Sequence, residues 1–219
     1  MPTLSVFHVK DAMTAPHSVT SAFDGSGIDG PWFTWVTGIA RDTPWLNDSA
    51  EVLTQAGLGV FAVLMVIGWW RARRMDGERM AAALIAPVSV LAAFAVAEVV
   101  KSRVAELRPC RSLPHAYIVE TCPQMSDYAF PSGHTTTAAA TVGALVLVDR
   151  KLSRIALVLA VLEGVSRVYV GAHYPHDVAG SFVVGLVVAL CVSAVLRRAL
   201  IPLVATLREG RCRPLLAAG

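Results

Sequence analysis

The stretch VLTQAGLGVFAVLMVIGWW, residues 52–70, carries no charged side chain and is followed at once by Arg71, Arg73 and Arg74. At 1.5 Å per residue a helix of this length crosses a hydrocarbon core of about 30 Å, so it reads as a membrane span. Basic residues beside a span collect on the cytoplasmic side, which places the Trp70 end inside. Composition agrees, since 55% of the 219 residues are hydrophobic, 16% are charged and the mean hydropathy is +0.57. Soluble domains carry about 25% charged residues.

Working outward from that span, a second one over residues 80–100 runs back across the bilayer. Its Pro87 is tolerated because neighbouring helices satisfy the freed carbonyl. After an outward loop over 101–130, a third span over 132–148 ends in the basic run DRKLSR, again inside. A fourth over 155–170 returns outward, and a fifth over 178–196 descends to Arg197, Arg198, Arg208, Arg211 and Arg213. The expectation is an all-α polytopic membrane bundle of about five transmembrane helices plus an N-terminal interfacial segment, with the N-terminus outside and the C-terminus inside. It divides into an extracytoplasmic or interfacial segment (1–50), a transmembrane domain (51–200) and a cytoplasmic tail (201–219). Glu163 lies within the fourth span, where an acid is costly unless it faces protein, so it is expected to point into the bundle and make a structural hydrogen bond. Trp32, Trp35 and Trp45 suit either the membrane interface or packing onto the bundle.

The formal net charge of +3 is small and its basic residues cluster beside apolar spans, which argues for membrane topology and against nucleic acid as a partner. Cys110, Cys122, Cys191 and Cys212 form no close C-x-x-C pair, so no metal or other cofactor is expected. Cys110 and Cys122 share the outward loop and are expected to form a disulfide there, while Cys191 and Cys212 stay reduced. The opening stretch MPTLSVFHVKDAMTAPHSV lacks the basic and apolar regions of a cleavable signal, so insertion is expected to rely on internal spans.

Topology gathers four separate segments at the outer face. Lys101 and Arg108 follow the second span, Ser132, Gly133 and His134 open the third, Ser166 and Arg167 end the fourth, and His173 with Asp177 opens the fifth. Singly these have ordinary explanations: snorkelling cations, a serine cap, a loop histidine. Together they put three cations on the side that orientation signals leave poor in Lys and Arg, beside a helix N-terminus. The expectation is that these cations hold an anion, and forked arginine donors with free helix N–H groups suit phosphate.

Lys101 with six residues to Arg108-Pro109, then Pro131-Ser132-Gly133-His134, then Ser166-Arg167 with five residues to His173 and three more to Asp177, resembles the tripartite signature of the type 2 phosphatidic acid phosphatase superfamily. The resemblance covers about a third of the chain. It implies a metal-independent phosphatase on a helical bundle acting on a lipid phosphate or diphosphate. His173 would be the nucleophile that forms a phosphohistidine, Asp177 the group orienting it, and His134 the acid for the leaving oxygen. Lys101, Arg108, Ser132, Gly133 and Arg167 would bind the transferred phosphoryl group. His176 lies off the signature and is read as standing outside the chemistry, as are His8, His17 and His115.

With the site outside and the apolar part of the substrate in the bilayer, the chain looks similar to bacterial undecaprenyl-diphosphate phosphatases of that superfamily, which regenerate a carrier for cell-wall synthesis at the plasma membrane. Competing substrates are phosphatidylglycerophosphate, phosphatidate and prenyl-phosphoryl sugar phosphates. A lipid-phosphate transporter or a structural subunit would need cations but no nucleophile. Vanadate-dependent haloperoxidases, which share the superfamily, are soluble. Oligomeric state has no signature in the sequence.

Overall fold

The computed structural model describes residues 22–210 and 213–218, so His8, His17, Arg211 and Cys212 lie outside the described residues. The described chain is built from helices: α1 (Ser26–Asp42), α2 (Pro44–Ala72), α3 (Gly77–Val104), α4 (Pro109–Ser112), α5 (Gly133–Val146), α6 (Arg150–Tyr169), α7 (Pro175–Glu209) and α8 (Arg213–Leu216).

Local chemistry sets the ends of these helices. Asp76 caps α3 by accepting the Arg79 N–H at 2.8 Å, and the helix stops at Ala105, which takes a left-handed φ of 50°. Asp149 caps α6, accepting from the N–H groups of Lys151 and Leu152, and also pairs with Arg71 at 2.8 Å. Burial opposes ionisation of Asp149, but those N–H groups and Arg71 outweigh it and hold its carboxyl below the ordinary range.

The bundle is organised around α5, whose residues GHTTTAAATVGALV are small enough for close approach. It is enclosed by α3, α6 and α7, while α3 also packs along α7 and joins it through a Ser89–Ser193 hydroxyl contact of 2.7 Å. On α7, a Cβ placed at Gly185 would lie 2.5 Å from the Thr136 carbonyl oxygen, so glycine lets the two helices meet backbone to backbone.

Helices α2, α3 and α7 are long and apolar enough to cross a membrane. Their outward faces carry exposed residues such as Val63, Val66, Leu91, Val99, Val183 and Val187. Of the five or so spans expected, these three have the length and composition to cross a membrane among the described residues. Helix α5, at 14 residues, reaches only about 21 Å and is sheathed by protein instead of lipid. Helix α6 opens on RKLSR and carries Glu163 and Arg167, which lower its hydropathy.

Glu163 points inward as expected, 2% exposed, accepting a hydrogen bond from Thr54 on α2 at 3.3 Å. Trp32, Trp35 and Trp45 are all largely exposed, with Trp32 and Trp35 edging an apolar hollow against α6 and α7. Helix α7 continues unbroken to Glu209, where Arg208 donates to the carbonyls of Ala72, Met75 and Asp76, so the boundary expected at residue 200 falls inside a helix. Arg71, Arg79, Arg150, Lys151 and Arg197 line one concavity of about 810 Å³, confirming that the basic clusters share one end of the bundle.

Gly185→Val should lower the unfolding midpoint of the detergent-solubilised protein by several degrees, corresponding to about 1–3 kcal/mol, because it drives a side chain into the α5 backbone. Gly59→Val, on an α2 face where nothing lies within 4 Å, should leave the midpoint unchanged. Equal midpoints for the two variants would rule out the α5–α7 contact.

Candidate active site

The last turn of α3, the segment into α4, the start of α5, the end of α6 and the start of α7 converge at the end of the bundle opposite the basic concavity. His173 stands just before α7 and is 1% exposed. Its Nε2 lies 2.8 Å from Arg108 Nη1 and its Nδ1 lies 3.3 Å from Asp177 Oδ2. Arginine offers only donors, so Nε2 must carry the lone pair and Nδ1 the proton, which it gives to Asp177. Burial, reinforced by the positive charges of Arg108, Arg167 and Lys101, keeps the His173 imidazole neutral well below its ordinary titration range.

Pro175 at the first turn of α7 sets the approach to this pair, because a proline there starts a helix without a lost hydrogen bond. Asp177 follows in the same turn, and its Oδ2 also accepts the Tyr174 N–H at 2.8 Å. The His173–Asp177 pairing is therefore made by the helix start itself.

The cations do converge, yet each already faces a carboxylate, which corrects the expectation that an external anion alone accounts for them. Arg108, the residue before Pro109, donates from Nη2 to Asp127 Oδ1 at 2.8 Å and from Nε to the Asp127 carbonyl at 3.1 Å. Lys101 sits 3.4 Å from the same Asp127 oxygen and 3.0 Å from Glu98. Burial works against ionisation of Asp127, but the Arg108 hydrogen bond and the charges of Arg108 and Lys101 hold its carboxyl below the ordinary range. Arg167 pairs with Glu120 at 2.7 Å and donates to Thr54 Oγ1 at 2.8 Å. Its buried Nε, however, has no acceptor among the described residues.

Ser132 caps α5 through its hydroxyl, which accepts from the Thr135 N–H at 3.4 Å and from the Thr135 hydroxyl at 3.2 Å. Its own hydroxyl proton stays free to donate, as do the first-turn N–H groups of Gly133 and His134. His134 is half-buried in that same first turn of α5, two residues after Ser132. His115 is exposed.

Cys110 and Cys122 are disulfide-bonded, as expected, with Cα atoms 6.0 Å apart. The bridge closes the loop from Cys110 to Cys122, which carries Glu120 and begins two residues after Arg108, the residues that bring one carboxylate and one cation to the site. Cys191 is a free thiol.

Reading the sequence missed Asp127, Glu120 and Thr54. The two acids sit in an aperiodic loop, where sequence spacing says nothing about which cation they meet. His176, read as outside the chemistry, is in fact packed beside Asp177: its Nε2 lies 3.6 Å from Asp177 Oδ1. It bonds Asp29 through Nδ1 at 2.8 Å and Glu106 through Nε2 at 2.9 Å. Carboxylates only accept, so both ring nitrogens are donors and neither has a lone pair for a metal.

Residues 82–200 match the model of the PAP2 superfamily. Undecaprenyl-diphosphatase BcrC of Bacillus subtilis is 27% identical over 71% of this chain and 78% of its own length. Phosphatidylglycerophosphatase B of the same organism is 33% identical over 65% of this chain and 71% of its own. The crystal structure of the first transmembrane PAP2 type phosphatidylglycerolphosphate phosphatase from Bacillus subtilis superposes with a TM-score of 0.55 at 23% identity, covering 76% of this chain and 85% of that one.

Selective labelling of the histidine rings should show His173 as the Nδ1–H tautomer, neutral throughout pH 6–8 and protonating well below its ordinary value of 6.5. A ring that protonates at or above 6.5 in the folded protein would contradict the Arg108 contact.

Proposed function

Because this chain belongs to the PAP2 superfamily, whose phosphatases are hydrolases acting on lipid phosphates, we propose that it cleaves a polyprenyl diphosphate, undecaprenyl diphosphate in a bacterial plasma membrane, to the monophosphate and inorganic phosphate. The observation that carries the catalytic reading is the neutral His173, with its Nε2 lone pair directed at Arg108 and its Nδ1–H on Asp177. A purely binding or structural protein has no use for an imidazole prepared in this way.

In the proposed reaction the terminal phosphoryl group enters among Lys101, Arg108, Arg167 and the start of α5. The unpaired Nε–H of Arg167 donates to it, with the Ser132 hydroxyl and first-turn N–H groups. Arg108 turns its Nη1 donor from His173 to a phosphate oxygen, and this frees the lone pair to attack phosphorus. As the N–P bond forms, the bond to the bridging oxygen breaks, and His134 protonates the leaving monophosphate. Asp177 steadies the positive charge that develops on His173. Water then attacks the phosphohistidine, with His134 taking its proton, and inorganic phosphate leaves. Fixed cations and N–H donors stabilise the charge on the equatorial oxygens throughout.

The choice of a carrier diphosphate draws on the likeness to the Bacillus undecaprenyl-diphosphatase. The site also lies at the end away from the basic clusters, beside a disulfide, which suits an oxidising extracytoplasmic side. The similarity to phosphatidylglycerophosphatase B supports a glycerolipid phosphate as the second reading.

Phosphate release from purified protein should be fastest on polyprenyl diphosphate among the lipid phosphates tested, and a preference for phosphatidylglycerophosphate would establish the second reading instead. His173→Ala should abolish release, and His134→Ala should slow it by roughly 10²–10⁴-fold. Arg167→Ala should cost about 3 kcal/mol of transition-state stabilisation. EDTA should have no effect; activity lost to EDTA and restored by a divalent ion would replace the metal-free mechanism. In intact cells a cysteine at exposed position 115 should react with an impermeant thiol reagent and one at exposed position 74 should not. The reverse pattern would move the site to the cytoplasm.

A further inference from the structure

Residues 22–30 lie outside the region matched to the superfamily, yet they reach the centre of the site. Phe23 bonds the backbone on both sides of Glu106, donating to the Ala105 carbonyl at 3.2 Å and accepting the Leu107 N–H at 2.8 Å. Gly25 follows, and a Cβ there would overlap the Glu106 carboxylate, so the strap fits closely over that acid. Asp29 then sits at a break in α1, with φ −143° and ψ 26°, and grips His176 twice, at the ring Nδ1 and at the backbone N–H at 2.7 Å. The His176 ring is stacked between Tyr174 and Phe130, with centroids 5.4 and 6.3 Å away.

Asp177 is fully buried, and its Oδ1 has no hydrogen-bond partner. The groups facing it are His173, His176, Arg108 and the buried carboxylate of Glu106. The groups facing His176 are Asp29 from α1, Glu106 from the segment after α3, Asp177 within α7, and the Tyr174 and Phe130 rings. A buried carboxylate beside another tends to take up a proton, and a neutral Asp177 could no longer stabilise the cation that forms on His173. His176, a donor at both nitrogens, supplies the missing positive charge between the two acids.

We propose that His176, clamped by Asp29 and Glu106, is a positioning residue that keeps Asp177 an ionised partner of His173, and that the N-terminal strap is thereby part of the catalytic apparatus. The inference rests on the phosphohistidine reading, with His173 as nucleophile. Asp29 acts through His176, and Glu106 both holds His176 and supplies the like charge it offsets. The strap is therefore tied to the chemistry: displacing residues 22–30 removes Asp29 and loosens the imidazolium.

The test is the pH dependence of kcat/KM for phosphate release from polyprenyl diphosphate, using the full chain in detergent. Wild type, His176→Gln, Asp29→Asn and Asp177→Asn are compared. Without the imidazolium, Asp177 binds its proton more tightly, so the acid limb should move to higher pH in the first two variants. His176→Gln should fall roughly tenfold below wild type at pH 6 and recover toward it as the pH rises and Asp177 loses its proton in both proteins. Asp29→Asn should shift the same way by less, and Asp177→Asn should be depressed at every pH. A loss in His176→Gln and Asp29→Asn that is equal at all pH values, or a wild-type profile in both, would overturn the proposal. Asp29→Asn, nearly isosteric, with its unfolding midpoint measured alongside, covers the case in which His176→Gln fails to fold. Activity surviving in His173→Ala would instead refute the phosphohistidine reading, a different outcome from any His176 result.

Discussion

Arginine has hydrogen-bond donors and no acceptor, and much of the site's organisation follows from that at one contact. Because Arg108 meets Nε2 of His173 at 2.8 Å, the lone pair of the buried imidazole points toward the cations and its proton points toward Asp177. The same guanidinium is held in place by Asp127 and by the Ala172 carbonyl, so the loop before α5 and the turn before α7 are tied to each other through it. A lysine at that position would lack the fork that makes these contacts together.

The second constraint is the cost of burying charge. Arg108 and Arg167 are only 6% and 3% exposed, and Asp177 is fully buried, so each needs an opposite charge within the fold. Asp127 and Glu120 meet that need for the cations, with Thr54 adding a neutral acceptor for Arg167, and His176 stands beside Asp177. These partners bring the site close to charge balance, and they make the proposed phosphoryl binding an exchange of one set of oxygens for another. The Cys110–Cys122 bridge closes the loop that presents part of this set, limiting how far it can open.

Packing below the site provides the rigidity such an arrangement requires. The small side chains of α5 let α3, α6 and α7 approach closely, and the interhelical contacts of Ser89 with Ser193 and of Glu163 with Thr54 fix how those helices are rotated. Rotation matters because Arg167 sits one turn beyond Glu163 on α6, and Thr54 touches both. A structural acid inside the bundle thus shares a partner with a cation of the site.

Much of this was legible in the amino-acid order. Uninterrupted apolar runs flanked by arginines mark helices and their direction, because hydrocarbon excludes charge and the backbone must satisfy itself within each segment. Alternation of those runs is enough to bring Lys101, Arg108, His134, Arg167, His173 and Asp177 to one end, whatever the details of packing. The pairing of Cys110 with Cys122 followed from their sharing a single loop. What the order could not supply was the choice of partner across space. Nothing in the spacing of Asp127, Glu120 or Thr54 says which cation each will meet, since loop geometry and helix rotation depend on side chains far away in the chain. Asp29 and Glu106 reach His176 only because the N-terminal strap docks beside the end of α3, a contact between segments about 80 residues apart. Length and hydropathy likewise left α5 looking like any other span, and only the enclosed bundle showed that a helix of 14 small residues is surrounded by protein on most sides.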